Sequence, residues 1–198
     1  MSSQQQQETA ASQTASPTAL LVIDTQTAML DGGDGANPAY QHDEVIAHIC
    51  ELQAQARSAG ATIIYMQHDS DPGETLEPET AGWRIHPALA PQSGDLVIRK
   101  RASGSFYETT LGNALASRGI TITRLVITGL RTERCVDTTS RQAVSLGYDV
   151  ILASDAHTTA DGDTLTAAQI IAHTNENLDD FGNDAHVITV QLSEAILW

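Results

Sequence analysis

Residues 125–152, LVITGLRTERCVDTTSRQAVSLGYDVIL, contain the unit that decides the fold. The apolar run at 125–128 predicts a buried strand, and the chain turns after it. A predicted helix then runs to about Leu146, where Gly147 stops it, and a second apolar strand follows at 148–152. A strand, a helix and a strand in this order form a crossover unit, which requires two parallel strands in one sheet.

The same alternation extends to both sides of this unit. Residues 43–59 show the helical spacing of apolar side chains, with Asp43 as a cap and Gly60 as the end. The other predicted strands cover residues 19–23, 61–66, 96–99 and 186–190, and the other helices cover residues 108–118, 163–177 and a short carboxyl-terminal segment. Six strands that alternate with helices predict a Rossmann-like, three-layer α/β/α fold with a six-stranded parallel sheet.

The length of 198 residues fits one domain. Residues 1–17 hold no large apolar side chain after Met1, so we expect a disordered polar tail there and a single domain over residues 18–198. The start of the chain lacks the basic and apolar parts of a secretory signal, and no later stretch has the roughly 18 apolar residues of a membrane span. A cytoplasmic protein is therefore expected, with Cys50 and Cys135 as free thiols.

The formal net charge of −15 limits the classes of partner. Nucleic acid and anionic membranes would be repelled, so we expect neither as a partner. A small-molecule substrate that is cationic is mildly favoured, although acidic residues also serve simply to keep a surface solvated. The ten basic residues include a single lysine, Lys100, which suggests a site that needs a compact ammonium group.

Three reactive side chains follow predicted strands. Asp24 ends the first strand, Lys100 ends the third, and Cys135 opens the helix after the fourth. Because ligands bind beyond the carboxyl ends of parallel strands, we expect these three groups at one edge of the sheet. A helix amino terminus and a nearby lysine both favour thiolate, which would make Cys135 a nucleophile. The alternative is that Cys135 is a buried, inert side chain, as most free cysteines are.

Several segments resemble the isochorismatase-like hydrolases over roughly residues 19–190. The residues that carry the resemblance are the cysteine block at 126–143, the strand with its acid at 21–26, the lysine segment at 97–106 and the segment at 147–157. The resemblance implies a catalytic triad of Asp24, Lys100 and Cys135. It also implies a non-proline cis peptide bond at Leu130-Arg131, and an oxyanion site formed by the backbone N–H groups of Arg131 and Cys135.

The reaction that the resemblance implies is hydrolysis of a carbon–nitrogen bond in a small amide, ureide or lactam. Asp24 would accept the thiol proton, and Cys135 would attack the carbonyl to form a thioester. Water would then hydrolyse the thioester with Asp24 as the base. The resemblance also suggests a homodimer or a homotetramer.

Five further residues are candidates for the substrate pocket. Gln26 follows the first strand and could orient Asp24 or contact the substrate, and His68 follows the second strand. The aromatic candidates, which lie in segments beside the family's pocket, are Trp83, Phe106 and Tyr107.

No metal and no other cofactor is expected. Nicotinamidases of the family carry an Asp-x-His metal motif after the second strand. This chain has His68 and Ser70 at the two ligand positions, so the motif is broken and supports no complete ligand set.

Two other functions remain open. The first is hydrolysis of a vinyl ether, as in true isochorismatases, which do not use a thiol. The second is a small-molecule binding module that keeps the fold without its chemistry, because a fold alone does not establish a function.

Overall fold

The structure is a computed structural model that describes residues 17–33, 37–116 and 122–198. The strands are β1 (Thr18–Ile23), β2 (Thr62–His68), β3 (Leu96–Lys100), β4 (Arg124–Gly129), β5 (Asp149–His157) and β6 (Ile188–Gln191). The α-helices are α1 (Thr27–Leu30), α2 (His42–Ser58), α3 (Leu111–Ala116), α4 (Asp137–Ser145) and α5 (Ala167–Leu178). The tail predicted over residues 1–17 lies outside the described residues except for Pro17, as does the predicted helix beyond Ala116.

Within the described residues, the strands form one six-stranded sheet in the order β3-β2-β1-β4-β5-β6. Every neighbouring pair of strands is parallel. The predicted three-layer α/β/α fold is therefore confirmed. The chain winds outward from β1 to β3 and then returns to β4 on the other side of β1, so the strand order reverses between β1 and β4. In parallel sheets, this reversal opens a crevice at the carboxyl ends of the two strands.

The core lies on both faces of the sheet, because side chains alternate along each strand. In β1, Leu21 and Ile23 pack with α3 and α4 on one face, whereas Leu20 and Val22 pack with α2 on the other. The buried face of α2 carries Val45, Ile49, Leu52 and Ala56. No helix in the described ranges is long and apolar enough to cross a membrane.

Several elements differ from their predicted bounds, among them three that follow β4. The helix after β4 begins as a π-helical turn, Thr132–Val136, before α4 starts at Asp137. The helix predicted from residue 163 starts only at Ala167, because Thr166 and Gln169 form a capping box that fixes its first turn. Strand β5 extends to His157, where a shift in register lets it pair with Gly129 at the end of β4.

Candidate active site

Asp24 lies at the crevice between β1 and β4, immediately after the end of β1. Its backbone has a φ of 49°, in the left-handed region, and its N–H donates to Met66 O at 2.9 Å. The side chain is buried, and Oδ2 accepts a hydrogen bond from Lys100 Nζ at 2.7 Å. The other carboxylate oxygen, Oδ1, is buried without a hydrogen-bond partner in the described part of the chain. One oxygen of Asp24 is thus held in place, and the other is available to accept a proton.

Lys100 joins the three reactive groups. It ends β3 and pairs in register with His68 at the end of β2, so its side chain reaches across β2 towards β1. Besides Asp24, the ammonium donates to Ala102 O at 3.0 Å and to Cys135 Sγ at 3.3 Å. The structure therefore brings Asp24, Lys100 and Cys135 together, although they are far apart in the sequence.

Cys135 lies in the π-helical turn, and its thiol is held in the protonated form. Burial, and next the negative charge of Asp24, raise the pKa of the Cys135 thiol to about 11, while Lys100 acts in the opposite direction. Lys100 favours the thiolate, as the sequence predicts, but burial and the charge of Asp24 outweigh its effect. Burial also raises the pKa of Asp24, against the lowering effect of Lys100. The thiol consequently needs a base before it can attack.

The turn that precedes Cys135 leads from β4 into the π-helical turn. The peptide bond between Leu130 and Arg131 is cis, as the resemblance implies. Leu130 N–H donates to Ile23 O at 2.9 Å, and Val136 N–H donates to Arg131 O at 3.2 Å. In the described chain, none of the backbone hydrogen bonds that hold this turn has the N–H of Arg131 as its donor. It is therefore available as a donor to a ligand at the crevice.

A cavity of about 730 Å³ opens above these residues. Its reactive side is formed by Asp24, His68, Arg131 and Cys135, and its other walls include Met29, Glu74, Leu76 and Arg134. Sequence reasoning did not identify the wall residues, because they lie in a very short helix, a loop and the turn, where no periodicity reveals which side chains converge. No group of three or more His, Cys, Asp or Glu side chains within the described ranges is arranged to hold a metal ion.

Of the five predicted pocket residues, His68 lines the cavity. Its Nδ1 lies 3.4 Å from Lys100 Nζ. Burial, and next the positive charge of Lys100, lower the pKa of His68, so the ring is neutral at neutral pH. Gln26 instead acts inside the protein. The fully buried side-chain amide of Gln26 forms hydrogen bonds with the backbone N–H and C=O of His68 and with Trp83 O. The prediction that Gln26 could contact a substrate is therefore corrected.

The three aromatic candidates lie outside this cavity, which corrects their assignment to the pocket. Trp83 Nε1 donates to Asp69 Oδ1 at 2.8 Å, and Trp83 does not line the cavity. Phe106 stacks on Tyr148 with ring centroids 5.8 Å apart, and Tyr107 is 57% exposed. Both line a separate groove along α4, next to Ser105, which is hydrogen-bonded to Thr139 of that helix.

Comparison with known proteins places this geometry in a family. The model of the isochorismatase domain matches residues 18–177, which include Asp24, Lys100 and Cys135. The chain belongs to the isochorismatase family. An isochorismatase of Pseudomonas putida has a structure that aligns with a TM-score of 0.81 and 28% identity, over 91% of this chain and 90% of that one.

Two relatives in the isochorismatase family have named activities. A streptothricin hydrolase of Streptomyces noursei is 37% identical over 143 residues, which cover 72% of this chain and 55% of the relative. A ureidoacrylate amidohydrolase of Variovorax paradoxus is 30% identical over 175 residues, covering 72% of this chain and 69% of that protein. The chain thus spans only about half the length of the streptothricin hydrolases that it matches.

Proposed function

We propose that the protein is a cysteine-dependent hydrolase that cuts a carbon–nitrogen bond in a small amide, ureide or lactam through a thioester. The observation that carries this proposal is the position of Lys100 Nζ, 2.7 Å from Asp24 Oδ2 and 3.3 Å from Cys135 Sγ. These contacts support the proposal because a thiol, a carboxylate and an ammonium group meet beside the cavity, and such a set can serve as nucleophile, base and fixed positive charge.

Asp24 moves the protons of the reaction. Its unpaired Oδ1 accepts the proton of the Cys135 thiol, and the thiolate attacks the substrate carbonyl. The N–H groups of Arg131 and Cys135 then stabilise the oxyanion of the tetrahedral intermediate. Asp24 returns its proton to the departing nitrogen, which leaves as ammonia or an amine. The acyl group stays on Cys135 as the thioester.

Water completes the cycle. Asp24, again ionised, takes a proton from a water molecule that attacks the thioester carbonyl, and the thiol departs with a proton. The net reaction converts one amide bond and one water molecule into a carboxylic acid and an amine. Because the pKa of the Cys135 thiol is raised to about 11, the thiol is neutral at neutral pH and attacks only after Asp24 has taken its proton.

The named relatives support the carbon–nitrogen bond as the target. Both the streptothricin hydrolase and the ureidoacrylate amidohydrolase are hydrolases, and the second name states that an amide-type bond is cut. The cavity of about 730 Å³ is large enough for a small molecule. Vinyl-ether hydrolysis gains no comparable support, because it leaves the thiol of Cys135 without a role.

The charges of the cavity differ from the charge of the whole chain. Arg131 and Arg134 line it, and Arg131 forms no ion pair with any other described residue. Within the described ranges, two carboxylates line the cavity, that of Asp24, which is bound to Lys100, and that of Glu74. A cationic substrate, which the net charge favours, would meet these arginines. We propose instead a neutral substrate or one that carries a carboxylate.

A panel of small amides, ureides and lactams tests the function, with release of ammonia or amine as the signal. A substrate cleaved by the wild type should not be turned over by Cys135→Ala, whereas Cys50→Ala, which removes the other free thiol, should retain the activity. Full activity of Cys135→Ala on that substrate would exclude the thioester mechanism. Turnover of isochorismate that is insensitive to the same substitution would favour the vinyl-ether alternative.

Location and assembly also remain proposals. We propose a cytoplasmic enzyme, which is supported by two free thiols and by the demand for a reduced Cys135. A homodimer or homotetramer is proposed from the family resemblance alone, and light scattering on the purified chain would measure its mass.

A further inference from the structure

His157 is a buried titratable residue that the proposed chemistry does not use. It ends β5 and is 1% exposed. Its Nδ1 lies 2.8 Å from Thr132 Oγ1, and its Nε2 lies 2.8 Å from Asn175 Oδ1 on α5. Burial lowers the pKa of His157 to about 4, so the ring is neutral at neutral pH.

The partners of Asn175 fix the direction of these hydrogen bonds. The amide Nδ2 of Asn175 donates to Ser154 O at 3.3 Å, so Oδ1 is the atom that faces His157. A carbonyl oxygen only accepts, and His157 Nε2 must therefore carry the proton. In a neutral ring, Nδ1 is then an acceptor, and the hydroxyl of Thr132 donates to it.

Thr132 lies between the two groups that meet the substrate carbonyl in the proposed reaction. It follows Arg131 and opens the π-helical turn that carries Cys135. Its N–H donates to Thr158 O at 3.0 Å, and Thr158 N–H donates to Gly129 O at 3.1 Å. Backbone and side chain thus both fasten Thr132 to the end of β5, and His157 in turn is fastened to α5.

We propose that His157 is a positioning residue, which holds Thr132 so that the N–H of Arg131 and the thiol of Cys135 keep their places relative to Asp24. This inference rests on the proposed function, because it assigns His157 a part in that reaction. The hydrogen bond to His157 adds a side-chain anchor in β5 to the backbone bond between Thr132 N–H and Thr158 O. Precise placement matters because a displacement of about 1 Å at a reacting group can cost about a hundredfold in rate.

Three threonine variants test the anchor. Thr132→Val removes the hydroxyl at nearly constant shape, Thr132→Ser retains it, and Thr128→Val is the matched control. Thr128 is also fully buried and also donates a single hydroxyl bond, to Leu21 O at 3.1 Å, but it has no link to His157. Both valine variants remove one buried hydroxyl hydrogen bond, so similar decreases in melting temperature are expected.

The kinetic results should separate the variants. For the best substrate of the wild type, Thr132→Val should lower kcat by about tenfold or more with little change in KM, because the bound substrate meets a misplaced nucleophile. Thr132→Ser and Thr128→Val should retain kcat within about threefold. Equal losses of kcat in both valine variants, or none in Thr132→Val, would overturn the inference.

A substitution at His157 provides a second test if Thr132→Val does not fold. In His157→Asn, the side-chain oxygen can replace Nδ1 as the acceptor for Thr132, whereas His157→Leu offers no acceptor. Higher kcat in His157→Asn than in His157→Leu is expected, and the reverse order contradicts the anchor. If the wild type cleaves no substrate at all, the proposed function fails first, and the rate of Cys135 alkylation becomes the readout of the same variants.

Discussion

Replacing Asp24 by Asn should abolish turnover and yet make the thiol of Cys135 more reactive at neutral pH. The two effects have one cause. Asp24 is the proposed base, so its loss stops catalysis. Its negative charge is also the second contribution, after burial, that raises the pKa of Cys135. Without that charge, Lys100 Nζ, 3.3 Å from Sγ, is left to stabilise the thiolate.

The magnitude follows from the charges. With a pKa of about 11 rather than 9.0, the thiolate fraction of Cys135 at neutral pH is about a hundredfold lower than for an ordinary thiol. A unit charge about 4 Å away is worth about 4 kcal/mol at an effective dielectric constant near 20, or about three pKa units. Part of the gain in thiolate is lost, because nucleophilicity falls with pKa. Alkylation should therefore accelerate on the order of ten- to fiftyfold.

The assay is the rate of iodoacetamide labelling between pH 6 and 10 in a Cys50→Ala background, followed by the mass of the Cys135 peptide. Asp137→Asn is the matched control, since it removes a carboxylate on the same helical segment that is bound to Arg141 rather than to the thiol. Lys100→Met should slow labelling by removing the positive charge. If Asp24→Asn labels more slowly than the parent at every pH, the coupling of these charges is wrong.

Three other results are expected. Gly129→Ala should cost about 3 kcal/mol or more in the free energy of unfolding, measured by urea titration, because φ is 110° and the new Cβ would lie 2.0 Å from Ile23 O. Arg131→Gln should lower kcat/KM about tenfold for an amide that carries a carboxylate and leave a neutral amide of the same skeleton unchanged, and equal losses would contradict an anion-binding role. Because His68 and Ser70 stand where nicotinamidases have metal ligands, prolonged dialysis against EDTA should leave amide hydrolysis intact.

The sequence alone predicted the edge of the sheet at which the reactive groups meet. Short apolar runs that end in a polar residue marked the ends of β1 and β3, and parallel strands direct such ends to one side. The position of Asp24 near Lys100 follows from that rule. The rule does not predict the order of the strands in the sheet. That order matters, because its reversal between β1 and β4 opens the crevice.

The direction of side chains in irregular segments could not be predicted. The segments that contain Trp83 and Phe106 predict that their rings lie in the pocket, but the rings contact Asp69 and Tyr148 outside it. No periodicity applies in loops, so neighbours distant in sequence decide where each ring points. The start of α5 is a different case, because Thr166 and Gln169 are a readable capping signal.

The net shift in the pKa of the Cys135 thiol could not be predicted from the sequence, for a physical reason. A helix terminus and a lysine are visible in a sequence, and both favour thiolate. The burial of Cys135 and the charge of Asp24 act in the opposite direction, and their strength depends on the packing of the folded chain. The sequence names the groups that interact, but their distances and burial decide which effect dominates.

The most direct test of the proposed mechanism is the mass of the protein during turnover. A reaction with a cleaved amide is quenched in acid within the first turnovers, and the peptides that contain Cys50 and Cys135 are weighed. The proposed mechanism predicts the acyl part of the substrate on the Cys135 peptide, removable by hydroxylamine, and none on the Cys50 peptide. Turnover that leaves Cys135 unmodified and continues in Cys135→Ala would contradict it.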